Sequence, residues 1–194
     1  MEILLVRHGL PLRVESDRPV DPPLAPEGHE QARALARWLA PEPPDHLITS
    51  TMSRAVDTAG HLADAFDLET VQDDDFCEFD RGTTVYIPLE QLEPDHPHMV
   101  RLIEDWFGPE GAERRAAFQH RVVTALHRHL HDLDAEQVAL VSHGGVINAI
   151  LADILGIERQ LFFQPAYTSV SRITWNGKRF RMVSINEAGH LRDV

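Results

Sequence analysis

The chain is expected to fold as an α/β domain around an open, mostly parallel sheet. Three observations carry that expectation. The apolar run Ile3-Leu4-Leu5-Val6 ends at Arg7-His8-Gly9. A second run, Val138-Ala139-Leu140-Val141, ends at Ser142-His143-Gly144-Gly145. Short continuous apolar runs suit strands buried on both faces. Between the runs lie segments with apolar residues at helical spacing, and that alternation builds a parallel sheet.

The elements follow in order. Residues 2–6 read as a buried strand, and the proline-rich residues 10–25 as a loop over the sheet edge. From Glu27 to Leu39 the residues Ala32, Leu35, Ala36 and Leu39 recur at helical spacing, and Pro41, Pro43 and Pro44 close the helix. His46 to Thr49 is a second strand ending at Ser50, followed by a helix from Met52 to Phe66. Glu69 to Gln72 is a weak strand. Residues 73–111 are irregular and acidic, with a short helix expected over Pro88–Leu92. A long helix covers Ala112–Leu133, turning Phe118, Val122, Ala125, Leu126 and Leu130 inward. Val138–Ser142 is the clearest strand and Val146–Leu155 the clearest buried helix. Val170–Trp175 and Phe180–Ile185 flank Asn176-Gly177, a strong hairpin signal.

Composition bounds the function. With 194 residues, the chain suits one domain spanning residues 1–194. The net charge of −13 disfavours nucleic acid as a partner, because that affinity rests on clustered cations. Cys77 is the single cysteine, so no internal disulfide forms and a reducing compartment fits. The first apolar run is too short for a signal peptide and no stretch is long enough to span a membrane, so a cytoplasmic location is expected.

In an open parallel sheet the strand C-termini line the ligand crevice. His8 and His143 both stand at such ends. A histidine becomes a nucleophile when one ring nitrogen is free and neutral and the other is held. Gly9 lets the backbone turn tightly, and Arg7 offers a fork of donors suited to phosphate. Gly144 and Gly145 open a helix whose free N–H groups favour an anion. Arg54 lies in the first turn of a helix, against the dipole's preference, which hints at an anionic ligand; Thr58 is one turn on. Each motif alone also reads as an ordinary turn or surface residue. His127 and His131 lie one turn apart, but lack the H-E-x-x-H pattern, and a solvated helix face is the better reading. No metal and no cofactor is expected.

Together these residues resemble the histidine phosphatase superfamily, which includes cofactor-dependent phosphoglycerate mutases and many small phosphatases. The matching pieces are Leu5-Val6-Arg7-His8-Gly9, Pro23 to Gly28 through Gln31-Ala32, Ser50 through Arg54-Ala55 to Thr58-Ala59, Phe76 through Glu78 to Gly82, Val141 to Gly145, and Ser184-Ile185-Asn186 to His190-Leu191. The resemblance implies a three-layer α/β/α sandwich of the phosphoglycerate mutase-like type, with residues 73–111 as a substrate-facing insertion. It makes His8 the nucleophile that forms a phosphohistidine. Arg7, Arg54 and His143 would hold the phosphoryl oxygens, with Gly9 and Gly144 beside them, and Glu78 would be the general acid and base. Where many members read Arg-His-Gly-Glu-Thr with an asparagine three residues on, this chain has Leu10, Pro11 and Val14. Arg13 or Ser16 is the nearest substitute for those contacts. After Glu78 the usual Gly-x-Trp-x-Gly-like stretch is replaced by Arg81 to Tyr86, and Gly-Gly-Glu-Ser by Gly111 to Arg114.

The implied activity is a phosphomonoesterase acting on a small phosphorylated metabolite, by a monomer or homodimer. The alternatives are mutase-type phosphoryl transfer and a non-catalytic phosphate-binding member. Mutases of the superfamily carry a longer, more basic insertion, whereas residues 83–111 are short and acidic with only Arg101 as a fixed cation. Tyr86, Trp106, Phe107, Phe162, Phe163 and Tyr167 are expected in the core or as pocket wall.

Overall fold

In the computed structural model, residues 1–88, 97, 100, 104–106, 108 and 110–192 are described. The expected helix over Pro88–Leu92, Arg101 and Phe107 lie outside these residues, save Pro88 itself.

Six strands form one sheet. In chain order the elements are β1 (Glu2–Arg7), β2 (Val14–Glu15), α1 (Pro26–Leu39), β3 (His46–Ser50), α2 (Ser53–Phe66), β4 (Thr70–Asp73), β5 (Val85–Tyr86), α3 (Gly111–Leu130), β6 (Gln137–Ser142), α4 (Gly144–Leu155), β7 (Val170–Trp175) and β8 (Phe180–Glu187). The sheet runs β4-β3-β6-β1-β7-β8. Its first four strands are parallel, and the β7-β8 hairpin joins β1 antiparallel. The hairpin turns at Asn176, whose Oδ1 accepts from the N–H groups of Lys178 and Arg179, while Gly177 takes φ 85°. Only glycine enters that region without strain.

Alternate residues of each central strand face opposite ways, so each feeds two cores. On one face Ile3, Leu5, Ile48, Val138 and Leu140 pack against α3 and α4. On the other, Leu4, Val6, Leu47, Ala139 and Val141 meet Leu35 and Leu39 of α1 and Ala55, Ala59 and Leu62 of α2. This is the three-layer sandwich the resemblance implies, with a mostly parallel central sheet. The apolar spacing of α1, α2 and α3 places their buried residues where the pattern puts them.

Two features depart from the sequence reading. The segment 10–25 is not only loop: Val14–Glu15 pairs with Val85–Tyr86, and Pro11 bridges Leu24. Two-residue strands carry no periodicity to read. The long helix ends at Leu130, and Leu133 packs partly buried beyond it.

Candidate active site

Three neighbouring parallel strands, β3, β6 and β1, end on one edge of the sheet. In register, Arg7 lies beside Ser142, and His8 donates its backbone N–H to the Ser142 carbonyl at 2.9 Å. Strand β3 ends at Ser50 and leads into α2, which brings Arg54 to the same edge. Helix α4 starts beside them with His143 at its N-cap. Arg7, His8, Arg54, Glu78 and His143 are all buried.

His8 is held on one side. Its Nδ1 lies 2.7 Å from the Gly9 carbonyl, an oxygen that can only accept, so Nδ1 carries the proton. Nε2 is therefore the bare nitrogen, and it accepts from Arg54 Nε–H at 3.2 Å. Burial, then the charges of Arg54 and Arg7, hold His8 well below the ordinary histidine pKa, against the pull of the Gly9 carbonyl. The nucleophilic form is thus the resting form.

Gly9 acts through its backbone and does not line the cavity. Its N–H donates to Thr58 Oγ1 at 3.0 Å, and Thr58 donates on to the Arg54 carbonyl at 2.7 Å. A Cβ on Gly9 would stand 2.6 Å from the Gly28 carbonyl oxygen, so the loop after β1 and the start of α1 can only meet as glycines.

Arg54 spreads over four partners: His8, Asp80, Tyr86 and, 4.0 Å from its Nη1, the Asp21 carboxylate. Its Nη2 donates to both carboxylate oxygens of Asp80, at 3.0 and 3.2 Å, and its guanidinium lies 4.6 Å from the Tyr86 ring. Burial works against its charge, but Asp80, Tyr86 and Glu78 outweigh burial and keep it charged. Nη1 is buried with no hydrogen-bond partner among the described residues. Such a donor needs an acceptor. Arg7 donates from Nη1 to the Pro165 carbonyl at 2.5 Å and lies over the Tyr167 ring at 3.9 Å.

His143 packs beside His8, ring centroids 5.1 Å apart and planes tilted by 58°. Its Nε2 meets Ser50 Oγ at 2.8 Å, and its Nδ1 has no partner among the described residues. Burial first, then Arg54, His8 and Arg7, keep it well below the ordinary histidine pKa. The sequence left open a protonated His143 that adds a cation. In the structure it is neutral, so it offers an N–H dipole rather than a charge.

Glu78 caps helix α4. Its Oε2 accepts from Gly145 N–H at 2.6 Å and its Oε1 from Phe79 N–H at 3.0 Å. Even so its pKa is pushed up to about 7, by burial and then by the charge of Asp80, against those N–H groups and Arg54. The carboxyl therefore exchanges a proton near neutral pH.

These groups open into a cavity of about 540 Å³. Arg7, His8, Arg54, Glu78 and Gly144 line it, as do Tyr86, Trp106, Phe162 and Phe163, whereas His143, packed against His8, does not. Tyr167 sits behind Arg7. Arg13 is not brought to the cavity: it pairs with Glu15 at 3.1 Å, with both side chains more than half exposed. The two-residue pairing of β2 with β5 carries this segment along the surface, and Ser16 is spent accepting from Arg18 N–H.

Sequence reasoning missed Asp80, Ser50 and Asn148. Asp80 is one acid among many, with no local signal. Asn148 had one: it is a lone amide inside an apolar helix. It is 1% exposed, and its side chain binds the Gly144 and Phe163 carbonyls and the Phe162 and Phe163 N–H groups. Among the described residues, no group of three or more His, Cys, Asp or Glu is placed to hold a metal ion. His127 instead packs on Trp175 and Phe180. No described helix is long and apolar enough to cross a membrane.

Comparison with known proteins agrees with this geometry. Residues 3–188 match the family model of the histidine phosphatase superfamily, branch 1. A probable phosphoglycerate mutase of Yersinia enterocolitica is 30% identical over 207 residues, covering 98% of this chain and 95% of that protein. Among solved structures, a mycobacterial glucosyl-3-phosphoglycerate phosphatase, in complex with VO3, superposes with a TM-score of 0.72 at 22% identity, over 96% of this chain and 99% of that one. A putative α-ribazole-5′-phosphate phosphatase of Escherichia coli gives 0.74 at 21% identity, over 96% and 97%. With a buried, neutral histidine between two arginines at one edge of the sheet, and a family model spanning almost its whole length, the chain belongs to the histidine phosphatase superfamily.

Proposed function

We propose that this chain is a phosphomonoesterase that hydrolyses a small phosphorylated metabolite through a phosphohistidine on His8. The observation that carries the reading is the protonation pattern. His8 rests neutral with Nε2 bare, while Glu78, buried nearby, holds a proton up to about pH 7. One group can give electrons and the other a proton.

The steps balance with water as the one co-reactant. Nε2 of His8 attacks phosphorus as the bond to the leaving oxygen breaks, and Glu78 gives that oxygen its proton. Arg54 releases Nε2 and turns its donors to the phosphoryl oxygens, joined by Arg7 and His143. Glu78, now a carboxylate, takes a proton from water, whose oxygen attacks phosphorus. The P–N bond breaks, and inorganic phosphate leaves. Positive charge held in place is the main requirement of phosphoryl transfer.

The relatives named probable phosphoglycerate mutases favour a second reading, in which the phosphohistidine returns its group to a sugar acid. The short acidic stretch 83–111, with only Arg101 as a fixed cation, supports hydrolysis instead. A non-catalytic phosphate-binding role is less well supported, since His8, Glu78, Arg7 and Arg54 all line one cavity.

The test is phosphate release from p-nitrophenyl phosphate across pH, in EDTA, by the wild type and His8→Ala. Release that survives EDTA and vanishes in His8→Ala is expected. Equal release by both proteins, or efficient conversion of 3- to 2-phosphoglycerate by the wild type, overturns the reading.

A further inference from the structure

We infer that the preferred substrate is the phosphomonoester of a bulky, largely apolar alcohol with a flat ring system; this deepens the phosphatase reading above and rests on it. The direction of the leaving group comes from Glu78. The acid must reach the leaving oxygen, so the organic part extends beyond Glu78, away from Arg7 and Arg54.

What lies there is apolar. Phe79 follows Glu78 in the chain and stacks on Trp106, with ring centroids 4.3 Å apart and planes at 26°. Both rings line the cavity, and Phe118 supports them edge-on from behind. A second wall is Phe162 and Phe163, whose backbone is clamped by Asn148. Tyr86 and Ile87 supply a third. Three separate segments thus present rings and aliphatic carbon to the same space. Aromatic rings favour flat partners in offset or edge contact.

The charges agree. Beyond the phosphate end, the charged lining groups are Asp80, already engaged by Arg54, together with Asp105 and Arg114. With Asp80 so paired, Asp105 and Arg114 are one acid and one base, so the lining holds no cluster of cations for a second anionic group on the substrate. Size points the same way: about 540 Å³ lies within the roughly 300–1,000 Å³ of pockets that enclose drug-sized ligands, and a three-carbon phosphoacid would leave most of it empty.

The test is a series of phosphates of primary alcohols, which keeps leaving-group basicity nearly constant. Propyl, glycerol, 2-phenylethyl and 2-(2-naphthyl)ethyl phosphates and 3-phosphoglycerate are compared by kcat/KM. Burying roughly 100 Å² of ring at ~25 cal/mol/Å² implies a gain on the order of 30- to 100-fold from propyl to naphthylethyl. Trp106→Ala should collapse that ratio and Trp106→Phe keep most of it. Phe162→Ser, at a partly buried position packed against the rim of the core, should also lower it. A flat series, or 3-phosphoglycerate or glycerol phosphate outpacing the naphthylethyl ester, overturns this inference while p-nitrophenyl phosphate turnover leaves the phosphatase reading standing. Turnover of no phosphate at all, with no phosphohistidine trapped by rapid quench, overturns both.

Discussion

At the scale of single residues, the site is a set of opposed charges whose balance fixes two protonation states. Asp80 is the pivot. It holds Arg54 through two hydrogen bonds, and its charge raises the Glu78 pKa. Asp80→Asn should therefore do two things at once. Arg54 loses its anchor, so KM should rise, by about tenfold if one charge-assisted bond of roughly 1.5 kcal/mol is lost. Glu78 should also ionise at lower pH. For the wild type, kcat/KM should fall as pH rises through about 7, because the carboxyl must be protonated to act as the acid. In Asp80→Asn that alkaline limb should move toward acid. A limb that stays put, or moves toward alkali, would remove Asp80 from this role. None of this was legible in the chain alone, where acidic residues crowd around position 80. By contrast Arg7, His8, Arg54 and His143 were legible, because strand ends and a helix start announce themselves in the apolar pattern. Glu78 was legible only through the family's order of motifs. Arg13 was a misplacement, since a charge near a motif in sequence says nothing of the direction its strand takes.

At the scale of elements, the N-terminus of α4 sets the position of the acid. A Cβ on Gly145 would stand 2.2 Å from Glu78 Oε1 and 2.9 Å from a Phe79 ring carbon. Gly145→Ala should thus displace the carboxyl and lower kcat/KM by about 10²-fold or more, the usual loss when a general acid leaves its place. At Gly144 the nearest atoms would lie 3.8 and 4.0 Å away, so Gly144→Ala should melt like the wild type. Equal activity of Gly145→Ala and the wild type would contradict the capping role of Glu78. Further along α4, Asn148 binds the segment that carries Phe162, Phe163 and Pro165, and Pro165 in turn receives Arg7. Asn148→Ala strands buried carbonyls and N–H groups, each costing ~1–3 kcal/mol. A loss of about 3 kcal/mol, or on the order of 10 °C in Tm, is expected, with a higher KM as Arg7 loosens. Calorimetry showing an unchanged Tm would refute it. The helices and long strands were readable because burial repeats along them. The clamp was not, because it joins residues close in space and spaced unevenly in sequence.

At the scale of the whole molecule, the fold stores its buried neutral histidines as acid sensitivity. His8 and His143 are buried and neutral, and burial lowers the His190 pKa to about 4. Unfolded, each histidine would titrate near ~6.5. Their folded pKa values are depressed, so their contribution is complete above about pH 6.5 and is lost as pH falls toward the folded values. Glu78 runs the other way. Its pKa is raised from the ordinary carboxylate range to about 7, so its contribution is complete below about 4.5 and is lost as pH rises through 7. As pH falls below about 6.5, unfolding takes up protons at the three histidines, whose folded pKa values lie lower, and releases one at Glu78, so the net uptake is positive and stability slopes downward on acidification. Urea midpoints measured from pH 4.5 to 8 should trace that slope. His190→Gln should lessen it by about one proton, because His190 titrates independently of the arginines that surround His8 and His143. A midpoint that is flat from pH 4.5 to 6 would mean that His8 and His143 are protonated in the folded protein. The proton pattern on which His8 depends as a nucleophile would then be wrong. Stability against pH thus tests the chemistry of the site without a substrate.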